Sequence, residues 1–444
     1  MLFKNYNNLV LNGQSPVLQQ KRKDVLDMLS AAVDAVQPSR VIKDIFRGSQ
    51  LVFASESIDL SFFDKVYIVG FGKASVGMAQ AVCDAVTVTK GIVITNDPCA
   101  TIRNHTVEVI VGGHPLPNEG SIHGAEKILD LLSKCSENDC VIVLISGGGS
   151  SLFCKPRVPL DDLQKTFDLL LRNGVSIEEM NTIRKHLSFV KGGQLTLYTK
   201  AVLISLIISD IVHDPISSIA SGPTSPDPST FSDARDIFKQ FQLWTNIPIT
   251  VRTVINEGVS GRISETLKEN DPVFKTVFNF IIANNERACQ GAMDKAKDLG
   301  YDTKLMATAI TGEARVVGKY LINRAIKNRF DRKTVIITSG ETTVTVQGGG
   351  TGGRNQELVL GCVEEIAGNE LVVASFATDG IDGNSDAAGA LADGFTLTRA
   401  LKRKLNPSCF LKQNNSNAFF QALGDTLRTG LTGTNVMDIQ IVVR

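Results

Sequence analysis

Short apolar runs alternate with segments of helical period along almost the whole chain. Val25, Met28, Leu29, Ala32, Val33 and Val36 recur at helical spacing, which predicts a helix closed by Pro38. KVYIV at 65–69 reads as a strand and 74–86 as a helix. GIVIT at 91–95 and VEVIVGG at 107–113 are further strands, 120–132 is a helix, and 141–145 is another strand. Two helices around 161–190 precede an apolar strand at 202–209. Fully apolar strands separated by amphipathic helices indicate a parallel sheet covered on both faces. SGPTSPDP at 221–228 interrupts the pattern, with a helix at 230–242 and Trp244 directly after it. The alternation then restarts with FNFIIA at 278–283, a helix, KLMATAI at 304–310 and a helix at 312–328. TVIITS at 334–339 and LVVASFAT at 371–378 continue it. No fixed-period repeat is visible, so the expectation is an α/β protein of two α/β domains. The first, 21–250, carries a doubly wound, largely parallel, Rossmann-like sheet. The second is 272–444, with the junction between Trp244 and Pro272.

A chain of 444 residues exceeds the roughly 250–300 at which single cores stop growing, which agrees with two domains. Its 46 basic and 46 acidic residues cancel, so no broad positive field invites nucleic acid. Apolar runs such as 201–208 fall far short of the roughly 20 residues that span a bilayer. The expected partner is therefore a small molecule, with no nucleic acid and no membrane, on a monomer or homodimer. The eight cysteines form no C-x-x-C pair and several sit in apolar runs, which reads as free thiols in a reducing compartment. Residues 1–23 lack acidic side chains, as a mitochondrial transit peptide would, but they hold one arginine and no basic helix face. The expectation is a frayed terminus and a cytoplasmic protein, with the mitochondrion as the alternative.

Ligands of open α/β sheets bind outside the carboxyl ends of the strands. Five loops at such positions gather glycine or charge. In SGGGSS at 146–151, Gly147, Gly148 and Gly149 can turn successive N–H groups inward as an anion-binding nest, with Ser150 and Ser151 beside them. A tight strand-to-helix turn without a ligand is the plainer alternative. GFGKASVG at 70–77 approaches both the G-x-G-x-x-G fingerprint and a P-loop but satisfies neither, because Ser75 occupies the third glycine site. What survives both comparisons is Lys73. QGGGTGGRNQE at 347–357 reads as a flexible loop delivering Arg354, whose guanidinium suits carboxylate or phosphate. SDIVHDP at 209–215 and TDGIDGNSD at 378–386 are acidic; Asp210 and Asp379 directly follow apolar strands, whereas Asp382 and Asp386 read equally well as turn or cap residues.

This inventory holds phosphate-cradling backbone, a lysine, an arginine and carboxylates suited to Mg²⁺, with no Ser-His-Asp or Cys-His order. It matches phosphoryl transfer, which needs positioning and charge neutralisation more than covalent chemistry. The alternative is an NAD(P)H-dependent hydroxypyruvate or tartronate semialdehyde reductase. In its favour, Asp97 lies roughly 27 residues beyond Gly70, near the spacing of a ribose-binding acid.

Eight blocks then resemble one family. They are IVGFGKAS (68–75), GGHPLPNEGS (112–121), LISGGGSSL (144–152), NTIRKHLSFVKGG (181–193), SDIVHDPISSIASGPT (209–224), GGGTGGRNQEL (348–358), ATDGIDGNSDAAGA (377–390) and TGLTGTNVMD (429–438). In this order they resemble the class II glycerate kinases, or glycerate 2-kinases, of the MOFRL type. The resemblance implies transfer of phosphate from ATP, with Mg²⁺, to D-glycerate, giving 2-phosphoglycerate. It also implies two α/β domains, the second MOFRL-type, with the active site in the cleft between them. The family's catalytic lysine and arginine match Lys73 and Arg354. Its Gly-Glu-Pro-Thr segment departs to SGETT at 339–343, which keeps Glu341.

From this follows the expected site. The 147–151 nest, with Lys191 and Gly192, holds an anion, either ATP phosphates or the glycerate carboxylate. Asp210 binds metal or orients the substrate hydroxyl, and Asp379 is the second metal candidate. Of Arg184, Lys185 and Lys191, one binds carboxylate or phosphate and the others lie on a solvated helix face.

Overall fold

The computed structural model describes residues 1–54, 56–327 and 333–444. They divide into two compact units, Val41–Ile282 on one side and Met1–Arg40 with Ala283–Arg444 on the other. The expected ranges, 21–250 and 272–444, differ from this division. At the N terminus the physical reason is Arg22 on the helix Pro16–Ala35, fully buried and paired with Asp393 at 2.5 Å and Asp425 at 2.9 Å, and at the junction it is the strand Val277–Ala283, expected in the second domain, which joins the sheet of the first unit. Val25, Met28, Leu29, Ala32 and Val33 bury the apolar stripe of the same helix. The terminus expected to fray is ordered by these contacts, with a further helix at Tyr6–Leu11.

The unit Val41–Ile282 is built on a six-stranded sheet. Its order across the sheet is Val107–Val111, Lys90–Thr95, Val66–Phe71, Cys140–Ile145, Val202–Ile208 and Val277–Ala283. The first five run parallel in that order. Helices such as Ser75–Ala85 and Glu119–Leu132 cover it, so the central strands Val66–Phe71 and Cys140–Ile145 are buried at every position. This is why they read as continuous apolar runs rather than alternating ones. The chain goes one way from Val66–Phe71 and the other way from Cys140–Ile145, which is the doubly wound order. The switch point between these adjacent strands is where such sheets bind ligands. A small antiparallel sheet of Phe46–Arg47, Gln50–Val52 and Ser57–Asp59 was not foreseen.

The other unit carries a mixed six-stranded sheet, ordered Asp302–Ile310, Thr334–Gly340, Asp438–Val443, Val372–Ala377, Gly389–Asp393 and Thr426–Leu427. Asp438–Val443 runs antiparallel to both neighbours. The helix expected at 312–328 is observed as Ala314–Lys327, and residue 328 lies outside the described residues. Among the described residues no helix is long and apolar enough to cross a membrane. All eight cysteines are free, and five of them are buried.

Candidate active site

At the switch point the two central strands end in loops that are laced together. Gly72, φ +128°, passes so close to the second loop that a Cβ there would lie 2.2 Å from Ser146 Oγ. Lys73 N–H donates to the Gly147 carbonyl at 2.9 Å, and Ala74 N–H to Ser146 Oγ at 3.1 Å. Ser75 N–H returns to Gly72 O, while Ser75 Oγ donates to Gly72 O at 2.8 Å and Ile94 O at 3.0 Å. The N–H groups that a dinucleotide pyrophosphate would need at this helix start are thus engaged within the protein. The side chain of Lys73 leaves this loop beside Gly148.

The second loop receives it. Gly148 has φ +83°, and a side chain there would meet His114 Cδ2 at 3.0 Å and Lys73 Cγ at 3.4 Å. The N–H groups of Gly147 and Gly148 have no hydrogen-bond partner among the described residues. Gly149 packs on Phe71 and Ala220, and Ser150 Oγ lies 2.9 Å from Ser221 Oγ, which reaches Asn181 Oδ1 at 3.1 Å. Ala220 and Ser221 sit at φ 50° and 63°, a strained pair of the kind that gathers at functional sites. Gly192 N–H donates to Ser221 O at 3.0 Å, so this glycine positions Lys191 through backbone contact.

These loops enclose a cavity of about 200 Å³, whose lining includes His114, Gly148, Ser150, Ser151, Arg184 and Lys191. Lys191 is 3% exposed, and its ammonium donates to the Phe153 carbonyl at 3.0 Å. The Arg184 guanidinium lies 5.0 Å over the Phe167 ring and reaches Asn181 Oδ1 at 3.3 Å. Among the described residues no carboxylate pairs with either cation. Burial pulls the Lys191 ammonium down to about 8 and the Arg184 guanidinium down to about 10. Lys185, by contrast, is buried and paired with Asp227 at 3.1 Å. The expectation that two of these three cations lie on a solvated face is therefore corrected. The C-terminal turn of Ile177–His186 packs inward, with His186 edge-on to Phe231 at 4.6 Å.

Asp210 follows the strand Val202–Ile208 at the same carboxyl edge of the sheet. Arg354 and Asp379 belong to the other unit. Arg354 opens the helix Arg354–Cys362 rather than riding a loose loop. The sheet register explains its surroundings: Asp438 pairs with Gly340 on one side and Ala377 on the other, so Glu341, Asp379 and Asp438 gather at one edge. Burial alone would weaken the Arg354 charge, yet Asp438 and Glu341 hold its pKa above the ordinary value. Burial raises the Asp438 carboxyl despite Arg354, and it raises Asp382 despite the N–H groups of Asn355 and Gln356. Asp382 accepts those N–H groups at 3.0 and 2.8 Å and so caps the Arg354 helix. Among the described residues no three His, Cys, Asp or Glu side chains are grouped to hold a metal ion. Reading the sequence gave no role to Asp438 or His114, although both stand in its quoted blocks.

Residues 24–256 match a family described as a domain of unknown function (DUF4147), and 334–438 match the MOFRL family. The chain is 40% identical to the glycerate 2-kinase of Pyrococcus horikoshii, over 94% of this chain and 96% of that one. A relative from Agrobacterium vitis, provisionally named a hydroxypyruvate reductase, is 37% identical over 85% of this chain and 86% of its own. The crystal structure of glycerate kinase from Thermotoga maritima aligns with a TM-score of 0.84 at 33% identity, covering 96% of this chain and 99% of that one.

Proposed function

Since the chain belongs to the MOFRL-type glycerate 2-kinase family, we propose that it transfers the γ-phosphoryl group of ATP to the 2-hydroxyl of D-glycerate. The observation that carries this reading is Lys73 set against Gly148 at the switch point, beside a cavity holding two cations that no carboxylate among the described residues pairs with. Lys73 and Arg354 serve as the cations that meet charge developing on the transferred phosphoryl group. The N–H groups of Gly147 and Gly148, unpartnered among the described residues, donate to an anionic oxygen, and Ser150 and Ser151 border the same place. Asp210, at the carboxyl edge of the parallel sheet, orients the acceptor hydroxyl or holds metal.

The residues fit Mg²⁺ as a kinase uses it. That ion takes one or two carboxylates and completes its shell with water and phosphate, so a prebuilt three-ligand cage is not required. Asp379 and Asp210 are the candidate ligands, and the buried Asp438 and Asp382 add negative charge near Asp379. When bound, Mg²⁺ neutralises phosphate oxygens. The free thiols support a reducing compartment, the cytoplasm before the mitochondrion.

The reductase alternative loses support at the first loop, where Lys73, Ala74 and Ser75 N–H groups are already engaged. The test is ADP release with D-glycerate, ATP and Mg²⁺, run beside NADH oxidation with hydroxypyruvate. The proposal expects the first and not the second; the reverse pattern would replace it with the reductase.

A further inference from the structure

Two positive side chains share one small cavity, and neither has a negative partner among the described residues. Lys191 is buried, its ammonium bound to the Phe153 carbonyl, and Arg184 beside it has an amide oxygen and an aromatic face. Burying charge without a counter-ion is unfavourable. A fold that keeps two such cations in one cavity has room there for an anion that arrives from outside.

Size and lining select which anion. Drug-sized ligands occupy roughly 300–1,000 Å³, and a nucleoside triphosphate belongs in that range. The cavity of about 200 Å³ suits a three-carbon acid instead. Leu163, Phe167 and Leu187 supply apolar walls that fit a short carbon skeleton and would waste contact on a triphosphate. Gly148 belongs to the lining and also touches Lys73, so a molecule held here lies beside that lysine.

We propose that Arg184 and Lys191 bind the carboxylate of the phosphoryl acceptor, and that the nucleotide phosphates are held elsewhere. The assignment rests on the kinase reading above and resolves which anion this cavity takes. It makes the acceptor's acid group, rather than its hydroxyls, the main recognition element. Uncharged polyols such as glycerol are then excluded by the two cations left unpaired.

The experiment uses the full chain. D-glycerate is titrated calorimetrically without nucleotide, and KM for D-glycerate and for ATP is measured in wild type, Arg184→Met and Lys191→Met. A charge-assisted contact is worth about 1.5–3 kcal/mol, so each variant is expected to weaken D-glycerate binding at least tenfold. KM for ATP is expected to stay within threefold. A rise in KM for ATP with D-glycerate affinity unchanged would assign the cavity to the donor phosphates and overturn the proposal. Should a methionine variant fail to fold, Lys191→Arg and Arg184→Lys decide the same point through the same pair of KM values. If wild type phosphorylates no acid at all, the kinase reading falls by itself. The titration still decides this inference, because absence of D-glycerate binding to wild type contradicts it, and binding lost in both variants supports it.

Discussion

Asp438 holds the guanidinium of Arg354 at two points, Nε to Oδ2 at 2.5 Å and Nη2 to Oδ1 at 3.0 Å, while Glu341 accepts Nη1 at 2.6 Å. An arginine already fixed in place loses little freedom on reaching a transition state, and that is where its charge counts. Arg354→Ala should therefore lower kcat by at least about 10³. Asp438→Asn, which keeps the shape and removes the charge, should lower kcat by roughly 10–100-fold, as loss of a supporting partner does elsewhere. Both are read from initial rates of ADP release, and a loss below tenfold for Arg354→Ala removes it from the mechanism.

Lys191 gives a pH signature. Burial lowers its pKa from the ordinary 10.5 to about 8. Below pH 8 both folded and unfolded chains carry the charge, and the folded state bears the full desolvation penalty. Between about pH 8 and 10.5 the unfolded chain binds the extra proton, so this group makes stability rise with pH. Lys191→Met should accordingly raise stability at pH 7 by roughly 1–3 kcal/mol, measured by denaturant unfolding. Because a bound carboxylate favours the ammonium, kcat/KM for D-glycerate should fall above about pH 8 in wild type. The neighbouring Cys154 thiol, which burial holds above its ordinary range, and Arg184, near 10, do not account for that limb. A Lys191→Met protein that melts below wild type would count against the unpaired-cation argument.

Backbone crowding at the switch point is tested by a pair of glycines. At Gly72 a methyl group would sit 2.2 Å from Ser146 Oγ, whereas at Gly48, φ +63°, nothing lies within 4 Å. Gly48→Ala should lose only the left-handed backbone term, roughly 1–2 kcal/mol. Gly72→Ala should lose clearly more, because Ser146 and the bonds at Lys73 and Ala74 must shift. Equal urea midpoints for the two variants would show that the loops are not laced as described.

The parallel sheet was legible because its central strands are buried on both faces and carry few polar side chains. Lys73 and the 147–151 loop were legible for a related reason, since close crossing of backbones demands glycine. The central strand Asp438–Val443 was missed because it alternates: Asp438 serves Arg354, and Gln440 accepts from Thr338 at 3.0 Å and reaches Ser375 at 3.4 Å. A buried polar ladder across a sheet looks like an exposed strand in one dimension. Nor can sequence tell Arg184 from Lys185, adjacent cations on one helix, when one lines a cavity and the other meets Asp227 from elsewhere in the chain. The placement of Pro16–Ala35 with the distant C-terminal residues depends on partners of Arg22 more than 350 positions away.

The most direct measurement is the phosphorus NMR spectrum of the product formed from D-glycerate, ATP and Mg²⁺. A phosphoryl group on the 2-hydroxyl couples to the single proton on C2 and gives a doublet, which the account predicts. A triplet, from the two protons on C3, would move the reaction to the other hydroxyl, and a spectrum with no new phosphate ester would contradict the proposed kinase activity itself.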